Sequence, residues 1–237
     1  MSSAAATVCL EWPHGSKGGS ALRAVVAPAK LALVTELEEL VRLCQRGDAA
    51  AFHELFHRHR ADVARLVHRM LGPSGELEDV VQEVFLQVHR SIRDFKGNSL
   101  FSTWLYRVTV NVVLMHRRAA RSRPVFAEVA AAHPPADVRP LPDEQVARLA
   151  RIRAFYRVLD RLSPKKRAVF VLHELEGLPP AEIARVVGAP VLTVRTRLFY
   201  ARRELSEMLR DEPALASLAD EIAISAESKV PEGGEES

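Results

Sequence analysis

Between Leu77 and Arg118 the sequence LEDVVQEVFLQVHRSIRDFKGNSLFSTWLYRVTVNVVLMHRR runs from carboxylates through aromatic residues to paired arginines. At helical spacing Val81, Val84, Phe85 and Val88 form one apolar stripe, and Asp79, Gln82 and Glu83 fall on roughly the opposite side. That acid and amide patch would repel phosphates, so its complement is a basic protein surface; a solvated face without a partner satisfies the spacing equally well. Next, Phe95, Phe101, Trp104 and Tyr106 surround the small polar residues Lys96, Gly97, Asn98 and Ser99, with Arg107, Asn111, Arg117 and Arg118 on the following helix. Aromatic and polar loops beside cations suit unstacked single-stranded bases. Trp104 and Leu105 are expected in the core, because tryptophan in a small helical domain is usually buried, and the loop and polar helix face are given to nucleic acid.

A second chemistry-bearing stretch is LPPAEIARVVGAPVLTVRTRLFYARREL, Leu178 to Leu205. Its spacing fits a helix-turn-helix: Ile183, Ala184 and Val187 pack on the next helix, and Gly188 permits the turn. In the second helix, expected from about Thr193, Val194, Leu198, Ala201 and Leu205 share the buried face. Thr196, Phe199, Tyr200 and Arg203 share the opposite one, with Arg195 on the flank. Guanidinium forks bind guanine edges or phosphates, and a helix start at Thr193 can approach a phosphate. Four arginines between Arg195 and Arg203 with no acid among them favour DNA over a merely solvated face.

Other reactive constellations are thin. His53 and His57 lie four apart with His59 nearby, a chelating spacing that no carboxylate or thiol cluster completes, so no metal and no cofactor is expected. Nothing resembles a nucleophile with its base, a glycine-rich phosphate loop or a paired-acid site, which points away from an enzyme. Cys9 and Cys44 are too few for a disulfide framework, which fits a reducing cytoplasm, and Cys44 is expected to pack as a small hydrophobe. No apolar run reaches the roughly 20 residues needed to cross a bilayer. Met1 to Leu10 lacks the basic-then-apolar order of a signal peptide, so direct membrane insertion is not expected.

The elements that must position these residues read as all-α. Residues 1–35, rich in Ala, Gly and Ser, read as a disordered arm or the product of a start codon placed too far upstream. A domain over 36–120 holds two helices separated by Arg46–Asp48, a turn at Gly72–Gly75, a third helix from Leu77 to about Ile92 and a fourth from Phe101 to Ala120. Five prolines between Arg123 and Asp143 predict a flexible linker, assigned to 121–145. A second domain follows over 146–210, with Ser163 as N-cap, Pro164 at the first helical position and Gly177 past the helix end. Residues 211–237 carry eight acids against Lys229 alone and read as an acidic disordered tail, whereas Arg90 to Arg123 carries eight basic residues against Asp94 alone. The net charge of +3 hides this asymmetry, so only the local counts say where an acidic partner would bind.

Taken together, the stretch from Leu77 to Arg118 and DRLSPKKRAVFVLHELEGLPPAEIARVVGAPVLTVRTRLFYARREL resemble the extracytoplasmic-function (ECF) class of bacterial sigma factors over roughly Glu36 to Arg210. The resemblance implies a sigma-two helical bundle joined to a sigma-four helix-turn-helix domain. It implies binding to the clamp of core RNA polymerase, melting of the downstream promoter element and reading of the upstream element. By matching position, Asp79, Gln82 and Glu83 would face polymerase. Lys96, Gly97, Asn98, Ser99 and Asn111 would hold single-stranded downstream bases, with Arg107, Arg117 and Arg118 beside them. Thr193, Arg195, Thr196, Phe199, Tyr200 and Arg203 would sit on duplex upstream DNA. An anti-sigma factor and a stress-responsive regulon are further implications. Tyr200 stands where many relatives carry a basic residue and Leu192 where a glycine is frequent, so upstream base preference does not transfer, and both tails exceed the family minimum.

Two other classes fit parts of the pattern. A stand-alone helix-turn-helix regulator with a sensing or dimerising domain would bind duplex DNA without polymerase. An adaptor docking proteins through the acidic patch would leave the Arg195–Arg203 cluster without a purpose.

Overall fold

The structure, a computed structural model, describes residues 28–122 and 143–215, together with Leu218 and Ile222. The described elements are helical: α1 (Pro28–Gln45), α2 (Ala49–Leu71), α3 (Leu77–Ser91), α4 (Phe101–Ser122), α5 (Asp143–Leu159), α6 (Pro164–Phe170), α7 (Pro180–Val187) and α8 (Val191–Arg210). The chain divides into two compact units, Met1–Glu38 and Glu39–Ser237, and the larger holds everything from the end of α1 onward.

Local chemistry sets the ends of the N-terminal helices. Asp48 caps α2 by accepting from the Ala51 N–H at 3.0 Å, which satisfies one of the free donors of the first turn. Gly72 ends α2 at φ +85°, donating its N–H to His68 O at 2.7 Å. α3 begins with Glu78 and Asp79 and ends with His89 and Arg90, the charge order that complements its macrodipole. Val80, Val81, Val84, Phe85 and Val88 of α3 are buried against Leu55, Val63, Leu66, Val67 and Met70 of α2 and Leu105, Val108, Val112 and Val113 of α4. Each such side chain contributes about 1.5–3 kcal/mol. Gln45 closes the far end by donating to Ile92 O at 3.1 Å and Phe95 O at 2.8 Å, which ties α1 to the base of the loop before α4.

In the C-terminal group Pro164 opens α6 after Ser163, whose side chain makes no capping bond. The helix then widens into a π-type turn over Val171–Leu175, and Gly177 at φ +73° ends it. Val169, Phe170, Leu172, Ile183, Val194, Leu198 and Leu205 make its core.

Several boundaries differ from the sequence expectation. α1 starts at Pro28, inside the segment expected to be disordered, because Leu31, Leu33, Val34 and Leu37 continue its apolar spacing backwards; residues 1–27 lie outside the described residues. The expected linker is shorter at both ends, since α4 runs to Ser122 and α5 starts at Asp143; 123–142 lie outside the described residues. α8 begins at Val191, ahead of Thr193. The tail assignment from 211 also fails at its start, where Pro213–Leu215 form a short 3₁₀ turn with Leu215 buried beside α5 and α8. The remainder of 216–237, apart from Leu218 and Ile222, lies outside the described residues.

One of the five arginines of α8 belongs to the core. Arg202 is 4% exposed and donates from Nε to Glu174 Oε1 at 2.7 Å. Removing one member of a buried pair leaves the other charge poorly solvated, whereas removing both substitutes apolar packing. Arg202→Leu is therefore expected to lower stability by about 3 kcal/mol. Arg202→Leu combined with Glu174→Leu should recover most of that loss, as read from urea unfolding midpoints.

Candidate polymerase and nucleic-acid surfaces

The buried stripe of α3 fixes its rotation, and Asp79, Gln82 and Glu83 consequently lie exposed together on the outer side. Glu83 sits 4.0 Å from Arg90, at the edge of ion pairing. The same outer side carries Leu86, 51% exposed. Sequence reasoning passed over it, although its place beside Phe85 and off the Val81–Val88 stripe was the available signal. An exposed leucine within a patch of acids adds apolar area to a charged surface.

The loop between α3 and α4 presents Lys96, Gly97 and Asn98 exposed, with Ser99 half-buried and Leu100 67% exposed. Gly97 adopts φ +71°, and a Cβ built there meets nothing within 4 Å, so glycine is required by the backbone conformation. Beneath the loop an aromatic group forms. Phe95 lies 5.3 Å from Trp104 and 5.7 Å from Phe101, and Phe101 is 5.5 Å from Trp104, between ring centroids. Trp104 is half-buried and thus shared between core and surface, less enclosed than expected. His59 packs on Phe101 at 5.3 Å, and burial pushes its pKa below the ordinary histidine value.

Along α4 the expected DNA ligands separate into two kinds. Asn111 and Arg118 are exposed. Arg107 instead donates from Nε to Arg185 O of α7 at 3.1 Å, and Arg117 pairs with Asp160 after α5 at 2.7 Å. The spacing brought all four to one helix, but tertiary packing commits two of them to the C-terminal group.

The helix-turn-helix is formed by α7 and α8. Gly188 takes the left-handed conformation, φ 64° and ψ 42°, and its N–H bonds Ala184 O. Ile183 is buried as expected; Val186 is the second buried residue, while Ala184 and Val187 are half-buried. On α8, Val194, Leu198, Ala201 and Leu205 face inward and Arg195, Thr196, Tyr200 and Arg203 face outward, with Phe199 half-buried. Thr193 lies in the first turn, where backbone N–H groups lack helical acceptors. Thr196 donates its hydroxyl to Leu192 O at 3.0 Å, leaving its lone pairs outward. Tyr200 lies edge-on to Phe199 at 5.4 Å, and Lys166 Nζ is 5.7 Å from its ring centroid while also pairing with Glu204. Arg203 reaches Glu207 at 3.1 Å, so among the described residues Arg195 is the outward cation of this face without an ion pair.

The histidines of α2 do not assemble further. His53 Nε2 and His57 Nε2 approach to 3.1 Å, and among the described residues no group of three or more His, Cys, Asp or Glu gathers as a metal site.

A helix-turn-helix group packed with a second helical group that carries an acidic face and an aromatic loop defines the class of DNA-reading transcription factors. Two family profiles place the chain within it: sigma-70 region 2 matches residues 55–123, and sigma-70, region 4 matches residues 152–205. The ECF RNA polymerase sigma-E factor of Escherichia coli is 34% identical over 178 residues, 72% of this chain and 93% of that protein. The RNA polymerase sigma-H factor of Pseudomonas aeruginosa is 32% identical over 181 residues, 73% of this chain and 93% of that one. Among solved structures, CnrH in complex with the cytosolic domain of CnrY superposes with a TM-score of 0.53 at 26% identity, covering 73% of this chain and 96% of CnrH. The chain belongs to the ECF class of sigma factors. It is thus an alternative sigma factor, a non-enzymatic factor that directs transcription initiation; a stand-alone regulator is not favoured.

Because Arg195 projects without an ion pair, Arg195→Ala should weaken specific duplex binding by about 1–3 kcal/mol and relax preference at one base pair. Binding measured against a panel of single-base variants over a salt series checks this. Uniform weakening with a shallower salt slope would reassign Arg195 to a phosphate.

Proposed function

We propose that three separate surfaces carry promoter-directed initiation in this protein. Asp79, Gln82 and Glu83, with Leu86 among them, dock on a basic surface of core RNA polymerase, the clamp of its largest subunit. Lys96–Ser99, Asn111 and Arg118, with Arg107 and Arg117, take single-stranded downstream promoter DNA. Thr193, Arg195, Thr196, Phe199, Tyr200 and Arg203 lie on the upstream duplex. The observation that carries this division is the exposed Lys96–Leu100 loop held over the Phe95, Phe101 and Trp104 rings, close in sequence to an acidic face that DNA would avoid.

The energetics favour that assignment. Opening duplex DNA costs about 1.4 kcal/mol per stacked step. Capture of an exposed base on an aromatic platform returns roughly 1–3 kcal/mol. A melting factor therefore needs such a platform beside flexible polar donors and acceptors, and a duplex reader does not. Gly97 lets backbone approach a displaced base, and the Asn111 amide offers both donors and an acceptor. The protein works in the cytoplasm, where polymerase and promoters meet; none of its described helices is long and apolar enough to cross a membrane. A regulatory partner of the anti-sigma kind, which would link the factor to an envelope or environmental stress, is part of the same reading. CnrH, captured with the cytosolic domain of a second protein, supports it.

Two outcomes are expected. Asp79→Lys with Glu83→Lys should abolish retention of core polymerase in a pull-down while leaving the unfolding midpoint nearly unchanged, since exposed charge costs little stability. Asn98→Ala with Asn111→Ala should spare core assembly and upstream binding but reduce permanganate reactivity of promoter thymines, with part of the signal restored on a pre-melted bubble template. Unchanged reactivity on the linear template would remove base capture from this loop.

A further inference from the structure

The outward face of α8 is not uniformly cationic. Two large apolar side chains stand on it in the open, Leu192 at 68% and Tyr200 at 47% exposure. At helical spacing Leu192, Thr196, Tyr200 and Arg203 lie away from the buried Val194, Leu198, Ala201 and Leu205. Leu192 is the second residue of α8, and the first turns of the second helix of a helix-turn-helix are the part that reaches base edges. A single exposed leucine is ordinary on a protein surface. Two apolar groups on one DNA-facing surface restrict what that surface can read.

Tyr200 is also held in place. Its ring lies edge-on to Phe199 at 5.4 Å, and Lys166 of α6 brings Nζ to 5.7 Å from its centroid, within the range of cation–π attraction. Lys166 in turn pairs with Glu204, one helical turn beyond Tyr200. The two charges answer each other, so the carboxylate does not stand bare beside a surface meant for phosphates. The ring is oriented before a partner arrives, and less rotamer freedom is lost on binding.

These observations narrow the base chemistry. Leucine has no hydrogen-bonding side-chain group and a phenol has one hydroxyl, so neither makes the two-point contact that a guanidinium makes to guanine or a carboxamide to adenine. The apolar group that the major groove does present is the C5-methyl of thymine. Eight residues of helix rise about 12 Å, against roughly 3.4 Å per base step, so the two side chains serve different base pairs.

We propose that α8 is a thymine reader: Leu192 and the Tyr200 ring pack on C5-methyl groups of two separate base pairs, and Lys166, paired with Glu204, is the positioning residue that fixes the Tyr200 ring. The inference rests on the assignment of α8 to the upstream duplex and adds to it the base that is selected and two residues, Leu192 and Lys166.

Holoenzyme assembled from the full chain and core polymerase is used to select upstream duplexes from a random-sequence pool. Each thymine of the selected duplex is then replaced by deoxyuridine, which removes the methyl and leaves every hydrogen-bonding group in place. Affinity should fall about fourfold at each of two positions, the effect of one methyl group withdrawn from water. Leu192→Ala should erase the effect at one position and Tyr200→Ala at the other, whereas Tyr200→Phe should retain both. Lys166→Met with Glu204→Gln leaves the net charge unchanged and should shrink the Tyr200-dependent effect without altering the salt slope. Lys166→Arg, which keeps a cation over the ring, should preserve it, with unfolding midpoints verifying that each variant is folded. Deoxyuridine without effect at every position, or effects that persist in Leu192→Ala and Tyr200→Ala, would overturn methyl reading. An undiminished Tyr200-dependent effect in the chain carrying Lys166→Met and Glu204→Gln would overturn the positioning role. If Arg195→Ala, Leu192→Ala and Tyr200→Ala all left duplex affinity unchanged, the upstream assignment itself would fall, an outcome distinct from loss of methyl discrimination alone.

Discussion

The packing of the valine-rich stripe of α3 between α2 and α4 is the constraint on which the functional surfaces depend. Once Val81, Val84, Phe85 and Val88 are buried, the rotation of α3 is fixed. Asp79, Gln82, Glu83 and Leu86 can then only face outward. The same packing sets the end of α3 and hence the base of the Lys96–Leu100 loop, which Gln45 pins from α1 through two backbone carbonyls. A rigid base and an exposed tip are what base capture requires, because every rotor left free in the unbound loop would be paid for on binding.

Arginine chemistry runs through the rest of the molecule in three distinct settings. Arg202 is an internal structural ion, matched to Glu174 in the core. Arg195 is an outward cation on the helix-turn-helix that pairs with no acid among the described residues. Arg65, Arg69, Arg107, Arg117, Arg121 and Arg167 lie between these extremes, committed to acceptors supplied by another part of the same chain. A guanidinium discriminates poorly between a carboxylate and a phosphate, since both offer paired oxygens at similar spacing.

The helices, their amphipathic faces and the helix-turn-helix were legible because they follow from short-range rules. The 3.6-residue spacing assigned the buried faces of α3 and α8 correctly, and Gly188 was found because its αL turn admits few other residues. The errors lie where the local signal is weak. The start of α1 at Pro28 is hidden because the Gly- and Ser-containing sequence before it and the proline itself read as breakers, and Leu215 is hidden in an acidic stretch although it packs beside α5 and α8. Leu86 was overlooked because an exposed leucine is unremarkable in sequence.

By itself the sequence determined which residue types occupy each helix face, because side-chain direction follows backbone period and that period is local. It also determined the family, through two ordered motifs at a fixed separation. Only the tertiary structure decided which cations are available. Arg107, Asn111, Arg117 and Arg118 look alike as a polar set on α4, yet Arg107 and Arg117 are engaged by Arg185 O and Asp160, whereas Asn111 and Arg118 stay open to solvent. Ion pairing between residues more than forty positions apart depends on how two helical groups dock, and no periodicity in either group encodes that geometry.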